Sequence, residues 1–198
     1  MQVFSVPHWV LAILTTFWRS NAQTCISHLK SIAAHDALIL LRTSLSALRL
    51  MHIVRCVPCI NHHLFLTHDS LLRESISVIT NSCLSDNHWL QASLPIRNGG
   101  LCIRHVTSLA LFAFLASAAN TRDLQDRMLV ACNVGVDTVV ASAWDTWSSF
   151  NGLPCPNDTD ARRQRSWDAL NVTRDVKAIC EGASSEMDKA RLLPPWLE

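Results

Sequence analysis

The stretch HDALILLRTSLSALRLMHIVR, residues 35–55, carries a helical pattern at nearly every position. Leu38, Leu41, Leu45, Leu48 and His52 recur at three- and four-residue steps, the spacing of one helix face. Arg42, Ser46 and Arg49 share a second face by the same steps, and Ile39, Leu40, Leu50 and Ile53 make much of the remaining circumference apolar. The spacing therefore predicts one helix over 35–55. A helix apolar on most sides is normally covered on most sides, which a small domain arranges only with difficulty.

Working outward, Pro58 cannot continue a helix interior and ends the pattern. It resumes over 64–83, with Leu71, Leu72, Ser75, Ile76 and Ile79 expected to face inward. Ser85 or Asp86 is a candidate N-cap for a short helical turn, and Pro95 and Gly99-Gly100 mark loop ends. Residues 106–119 form a third strong pattern, rich in Ala and Leu. Thr121 is a plausible cap of a further helix, and 137–150 reads as helical with Trp144 and Trp147 on one side. Residues 151–158 (NGLPCPND) read as a turn-rich linker, followed by weaker helices near 160–170 and 174–181. No internal repeat and no sustained strand alternation occurs. The expected fold is mostly α, an irregular helical bundle.

With 198 residues, 49% of them hydrophobic and only 17% charged, the chain can build a core and lacks the composition of a disordered segment. The net charge of +1 is unevenly spread. Residues 1–120 carry eight Lys or Arg, four acids and all nine His, whereas residues 121–198 carry nine bases and twelve acids. A mildly basic front and an acidic back suggest two surfaces with different partners. They do not make the strong basic stripe of an independent nucleic-acid-binding domain. The eight cysteines are loosely spaced, several within apolar helical patterns, as expected of reduced, buried thiols in an intracellular protein of the cytoplasm or nucleus. The apolar run WVLAILTTFW, residues 9–18, is too short to span a bilayer. It leaves open a secretory signal, with small residues at 20–22, although no Lys or Arg precedes it. The sequons at Asn157 and Asn171 matter only in a secreted chain.

Candidate chemistry is sparse. Cys56-Val57-Pro58-Cys59 is a CxxC, but a helical pattern precedes it where a redox motif needs a strand. His62, His63 and His68 fall near enough in sequence to complete a zinc tetrahedron, yet the ligands are crowded into one short stretch, and the expectation is helix-end residues and no metal or other cofactor. His35-Asp36 and Asp69 with Glu74 resemble acid–base pairs with nothing converging on them. Asp36 also suits the first turn of a helix. No dinucleotide fingerprint, phosphate loop, HExxH or GxSxG is present, and no small-molecule substrate is evident. Arg42, Arg49, Arg97 and Arg104 suit phosphate oxygens, because guanidinium pairs well with them.

HDALILLRTSLSALRLMHIVRCVPC, residues 35–59, followed by LLRESISVITNSCLSDNHWLQASLPIRNGGLCIRHVTSLALFAFLAS, residues 71–117, resembles the segment after the polymerase palm in non-LTR retrotransposon (pol-like) reverse transcriptases. The resemblance covers about residues 29–130 and persists more faintly through RRQRSWD, 162–168, and DKARLL, 188–193. It implies a helical thumb or connector lying beside the template–primer duplex, where Arg42, Arg49, Arg97 and Arg104 would contact the nucleic acid backbone. It also implies a hinge between two thumb helices, with Gly99-Gly100 as its turn, Pro95 at its edge and Trp89 as a packing anchor.

There are departures from the family. Where it usually reads GGLGIR this chain has Cys102 in place of the last Gly, and where it reads ALPAFLAS this chain has Phe112 in place of Pro. Residues 1–28 do not resemble the polymerase sequence expected there. The palm carboxylates that would hold two metal ions are not found, and with no Tyr a YADD-type hairpin is impossible. The Cys/His knuckle expected farther on is absent too. The resulting expectation is an unrelated apolar segment (1–28), a thumb/connector-like domain (29–150), and a linker with a weaker helical tail (151–198). Its expected function is that of a non-catalytic remnant of an RNA-directed DNA polymerase, with the nucleic acid backbone or a missing palm domain as partner. Two alternatives stand beside it, a small secreted or membrane-associated helical protein and a protein-interaction module. Because the helix over 35–55 would lack its palm neighbour, self-association is also expected.

Overall fold

The computed structural model describes residues 24–59, 62–129, 137–152, 156, 158–183, 185 and 187. After a helical turn at 24–29 come α1 (Ala34–Leu40), a π-helical turn (Leu41–Leu45), a 3-10 turn (Ala47–Leu50) and α2 (Met51–Cys56). These are followed by α3 (His63–Thr80), α4 (Asp86–Ser93), a 3-10 turn (Ile96–Asn98), α5 (Val106–Leu129), α6 (Thr138–Asn151), α7 (Asp158–Ala161) and α8 (Gln164–Glu181). Among the described residues no strand occurs, and the fold is mostly α, an irregular helical bundle.

The bundle is organised around α5. From Leu109 to Ala116 every residue is buried, so this half of the helix is enclosed on all sides. Small residues make that possible: Ala110, Ala113 and Ala116 let neighbouring helices approach closely while Leu111, Phe112, Phe114 and Leu115 fill the space between. On one side α5 meets the 3-10 turn, α2 and α3 through Leu50, Ile53, Val54 and Phe65. On the other it meets α6, α7 and α8 through Ala143, Trp147, Ala161 and Trp167. A third cluster joins Leu29, Ala37 and Leu41 to Leu72 and Ile76 of α3 and to Ala92 and Ile103.

The helix expected over 35–55 is broken. Ser46 takes an extended backbone (φ −76°, ψ −167°), and its Oγ donates to the Arg42 carbonyl at 2.5 Å, satisfying an acceptor that the interrupted helix leaves free. The break resolves the problem of a helix apolar all round. Before Ser46 the chain buries Ala37 and Leu41 in the cluster with α3; after it, Ala47, Leu50, Met51, Ile53 and Val54 turn toward α5. Leu38 and Leu45 are partly buried, but Leu48 is 60% exposed and His52 is exposed, so the single-face reading fails beyond the kink.

The helix over 64–83 is present as α3, with Leu72, Ser75 and Ile76 buried and Leu71 and Ile79 partly so. His62 caps its start, its Nδ1 accepting from the Leu64 N–H, and Asn81 ends it in the left-handed region (φ 50°). α2 stops at Cys56, and Val57 is extended, as the residue before a proline prefers. Thr121 does not begin a helix. α5 runs continuously through it, because no Gly or Pro intervenes, and its hydroxyl donates back to the Ser117 carbonyl. Asp137 caps α6 by accepting from the Val139 and Val140 N–H groups. The stretch expected as a weaker tail holds the 18-residue α8, whose Trp167 is fully buried against Trp147 and donates its indole N–H to the Ala161 carbonyl. The apolar run at 9–18 lies outside the described residues, among which no helix is long and apolar enough to cross a membrane.

Candidate functional site

The hinge between α4 and α5 is held by a set of backbone hydrogen bonds and two glycines. Ser85 Oγ accepts from the His88 N–H and starts α4. Pro95 leads into the 3-10 turn, and its carbonyl receives the N–H groups of Asn98 and Gly100. Gly99 sits at φ 78°, the left-handed region that only glycine enters without steric cost. Gly100 is required for a different reason, since a Cβ there would lie 2.1 Å from the Leu94 carbonyl oxygen. The chain then lies back over the end of α4, with Leu101 and Ile103 donating to the Ala92 carbonyl and Cys102 to that of Leu94. Cys102 itself has φ 59°, so a residue with a Cβ occupies a second left-handed position.

Trp89 and His105 close the hinge from either side. Their rings stack at 4.4 Å, joining the second turn of α4 to the residue just before α5. The start of α5 is held by Asp69 of α3, which accepts from the N–H groups of Val106 (2.8 Å) and Thr107 (3.1 Å) and from the Thr107 hydroxyl (2.6 Å). His68 Nδ1 lies 3.6 Å from the same carboxylate. Burial pushes the Asp69 carboxyl up, but the hydrogen bonds from His68, Thr107 and Val106 outweigh it and the net shift is downward. Asp69 is thus a buried helix cap. Glu74 is exposed. His35 Nε2 lies 3.0 Å from Asp36, both exposed, and Asp36 stands in the first turn of α1.

The four arginines are not equivalent. Arg104 turns inward: its Nη2 donates to Asp168 of α8 at 2.5 Å and its Nη1 to the Ser93 carbonyl at 3.3 Å, with the two side chains only 14% and 16% exposed. Arg104, expected at a phosphate, thus sits within the fold, where it ties the hinge to α8. The Asp168 carboxyl is raised by burial against the opposing pull of Arg104 and Arg97, and Asp175 beside it is raised for the same reason. Arg97 is exposed on the 3-10 turn, with its Nε donating to Asn98 Oδ1. Arg42 is half-buried on the π-helical turn. The side chain of Arg49 lies outside the described residues. Leu41, beside Arg42, shares a core cluster with Ala92 and Ile103 of the hinge, so the elements bearing Arg42 and Arg97 rest on one core.

Sequence reasoning missed Asp168 as the partner of Arg104. The one signal was the charge asymmetry, which is partly consumed inside the fold, since this ion pair joins the basic front to the acidic back.

The CxxC divides into an exposed Cys56 and a buried Cys59, whose thiol burial pushes up to about 11. A thiol so held is protonated at neutral pH and is a poor nucleophile. Among the described residues no three His, Cys, Asp or Glu side chains converge to hold a metal ion, and the six described cysteines are free. Asn171 of the second sequon stands within α8, its Oδ1 accepting from Arg174. No protein-family model, curated protein or solved structure matches the chain.

Proposed function

We propose that this chain is the thumb/connector part of a retrotransposon-type RNA-directed DNA polymerase, a helical scaffold that performs no synthesis itself and contacts the nucleic acid backbone weakly. The observation that carries the reading is the backbone at Cys102. The resembled family has glycine there, and φ 59° is the conformation that favours glycine, so the local geometry fits the family pattern better than this chain's own residue does. The positive φ of Gly99 and the close approach at Gly100 support the same alignment. Backbone contact falls to Arg42 and Arg97, with Arg104 positioning the hinge against α8. We place the protein in the cytoplasm or nucleus, where its free thiols stay reduced.

The reading is tested by primer extension with the purified chain, a primed RNA template, deoxynucleotides and Mg²⁺. No extension above a protein-free control is expected. Metal-dependent DNA synthesis would overturn it.

A further inference from the structure

We infer that the His105–Trp89 stack is a proton-operated latch: neutral His105 holds the α4–α5 hinge closed, and protonation of its ring releases α4 and the turn from the start of α5. The stack crosses the hinge at 4.4 Å with 30° between ring planes. One ring nitrogen is engaged by the Trp89 backbone, while Nε2 is buried with no hydrogen-bond partner. A neutral imidazole tolerates this by presenting Nε2 as a bare acceptor. An imidazolium would place an N–H donor in the same spot with nothing to receive it, a buried donor left unsatisfied.

The charges facing the ring do not rescue the protonated form. Arg104, its sequence neighbour, and Arg73 of α3 both oppose a positive ring. Arg73 is itself fixed by Asp86 at 2.7 Å and by the Leu84 carbonyl. Asp69 of α3 is the strongest charge on the ring and favours the protonated form, but burial outweighs it, and its oxygens, which accept from Val106 and Thr107, do not bond Nε2. Burial is the largest influence on His105, and the net shift of its pKa is downward. Because the folded pKa lies below the unfolded value, the latch is closed above the ordinary imidazole value of 6.5, and stability is lost as pH falls from there through the folded pKa.

The test is hydrogen exchange of the intact chain between pH 7.5 and 5, read by amide over residues 86–107 and corrected for the intrinsic exchange rate. The latch predicts that opening of this segment rises by about tenfold for each pH unit of acidification below the unfolded pKa until the folded pKa is reached, with α6 unaffected. It also predicts that His105→Phe, which keeps the stack and removes the proton site, abolishes the rise. A pH-independent segment in the wild-type chain, or an equal rise in His105→Phe, would overturn the latch. If the variant does not fold, NMR titration of the His105 ring in the wild-type chain decides. A ring pKa below 6.5 with loss of Trp89 contacts on the same titration supports it, and an ordinary titration with the stack intact overturns it.

Discussion

Cys102 holds φ 59° with a Cβ attached, in a turn whose neighbours Gly99 and Gly100 each need to be glycine. A left-handed residue with a Cβ is destabilised by about 1–2 kcal/mol, and a glycine gives back roughly 0.5–1 kcal/mol through its looser unfolded state. Cys102→Gly is therefore expected to raise stability by about 0.5–1 kcal/mol, measured by urea denaturation with an unchanged m-value. The neighbouring position behaves oppositely. Gly100→Ala drives a methyl into the Leu94 carbonyl, where something must shift, and is expected to destabilise by about 3 kcal/mol in the same experiment. Asp69 adds a pH dependence at this scale. Its folded pKa is depressed, so its capping contribution is fully present above the ordinary carboxylate value of 3.8 and is lost as pH falls through the folded value. Asp69→Asn, which keeps the shape but loses the charge, is expected to remove about 1–2 kcal/mol at pH 7 and to flatten the acid limb of the stability profile.

Among the elements, α8 depends on one arginine reached from the hinge. Removing Arg104 leaves Asp168 buried without its partner, so Arg104→Ala is expected to destabilise by about 3 kcal/mol, whereas the double variant Arg104→Met with Asp168→Leu should lose much less than the sum of the two single changes. A double-mutant cycle by thermal and chemical denaturation checks this. The same elements show what the sequence made legible. α3, the apolar half of α5 and α6 were readable because three- and four-residue spacing and their caps lie within one window of sequence. The kink at Ser46 was not, because the apolar pattern runs straight through it and only the distribution of partners on either side forces the break. At the site, Pro95, Gly99 and Gly100 were legible as a turn from composition alone. The inward turn of Arg104 was not, since Asp168 lies 64 residues away and no local pattern couples them. Nor did the sequence distinguish one Arg42 or Arg97 from an Arg104.

At the scale of the whole molecule, α7 and α8, from the stretch the sequence suggested as a tail, share a hydrophobic cluster with α5 and α6. The Trp147–Trp167 contact at 5.0 Å and the Arg104–Asp168 pair lock α8 onto the bundle that contains the hinge. Trp167→Ala is expected to destabilise by about 3–5 kcal/mol and, because the tail shares the core, to shift the unfolding of the entire chain instead of creating a separate early transition. Following far-UV circular dichroism and tryptophan fluorescence through the same melt distinguishes the two, since a common core requires coincident curves. On the function we propose, Arg104 is used within the fold and phosphate contact would fall to the exposed Arg97 and the half-buried Arg42.

The measurement that tests this most directly is binding of the purified chain to a labelled RNA–DNA template–primer duplex at 50 mM and 200 mM salt, by fluorescence anisotropy, with Arg42→Ala and Arg97→Ala alongside. Weak binding at low salt that falls steeply at the higher salt is expected, with each variant lowering the salt slope by about one. No binding at low salt, or binding indifferent to salt and to both arginines, would contradict the account.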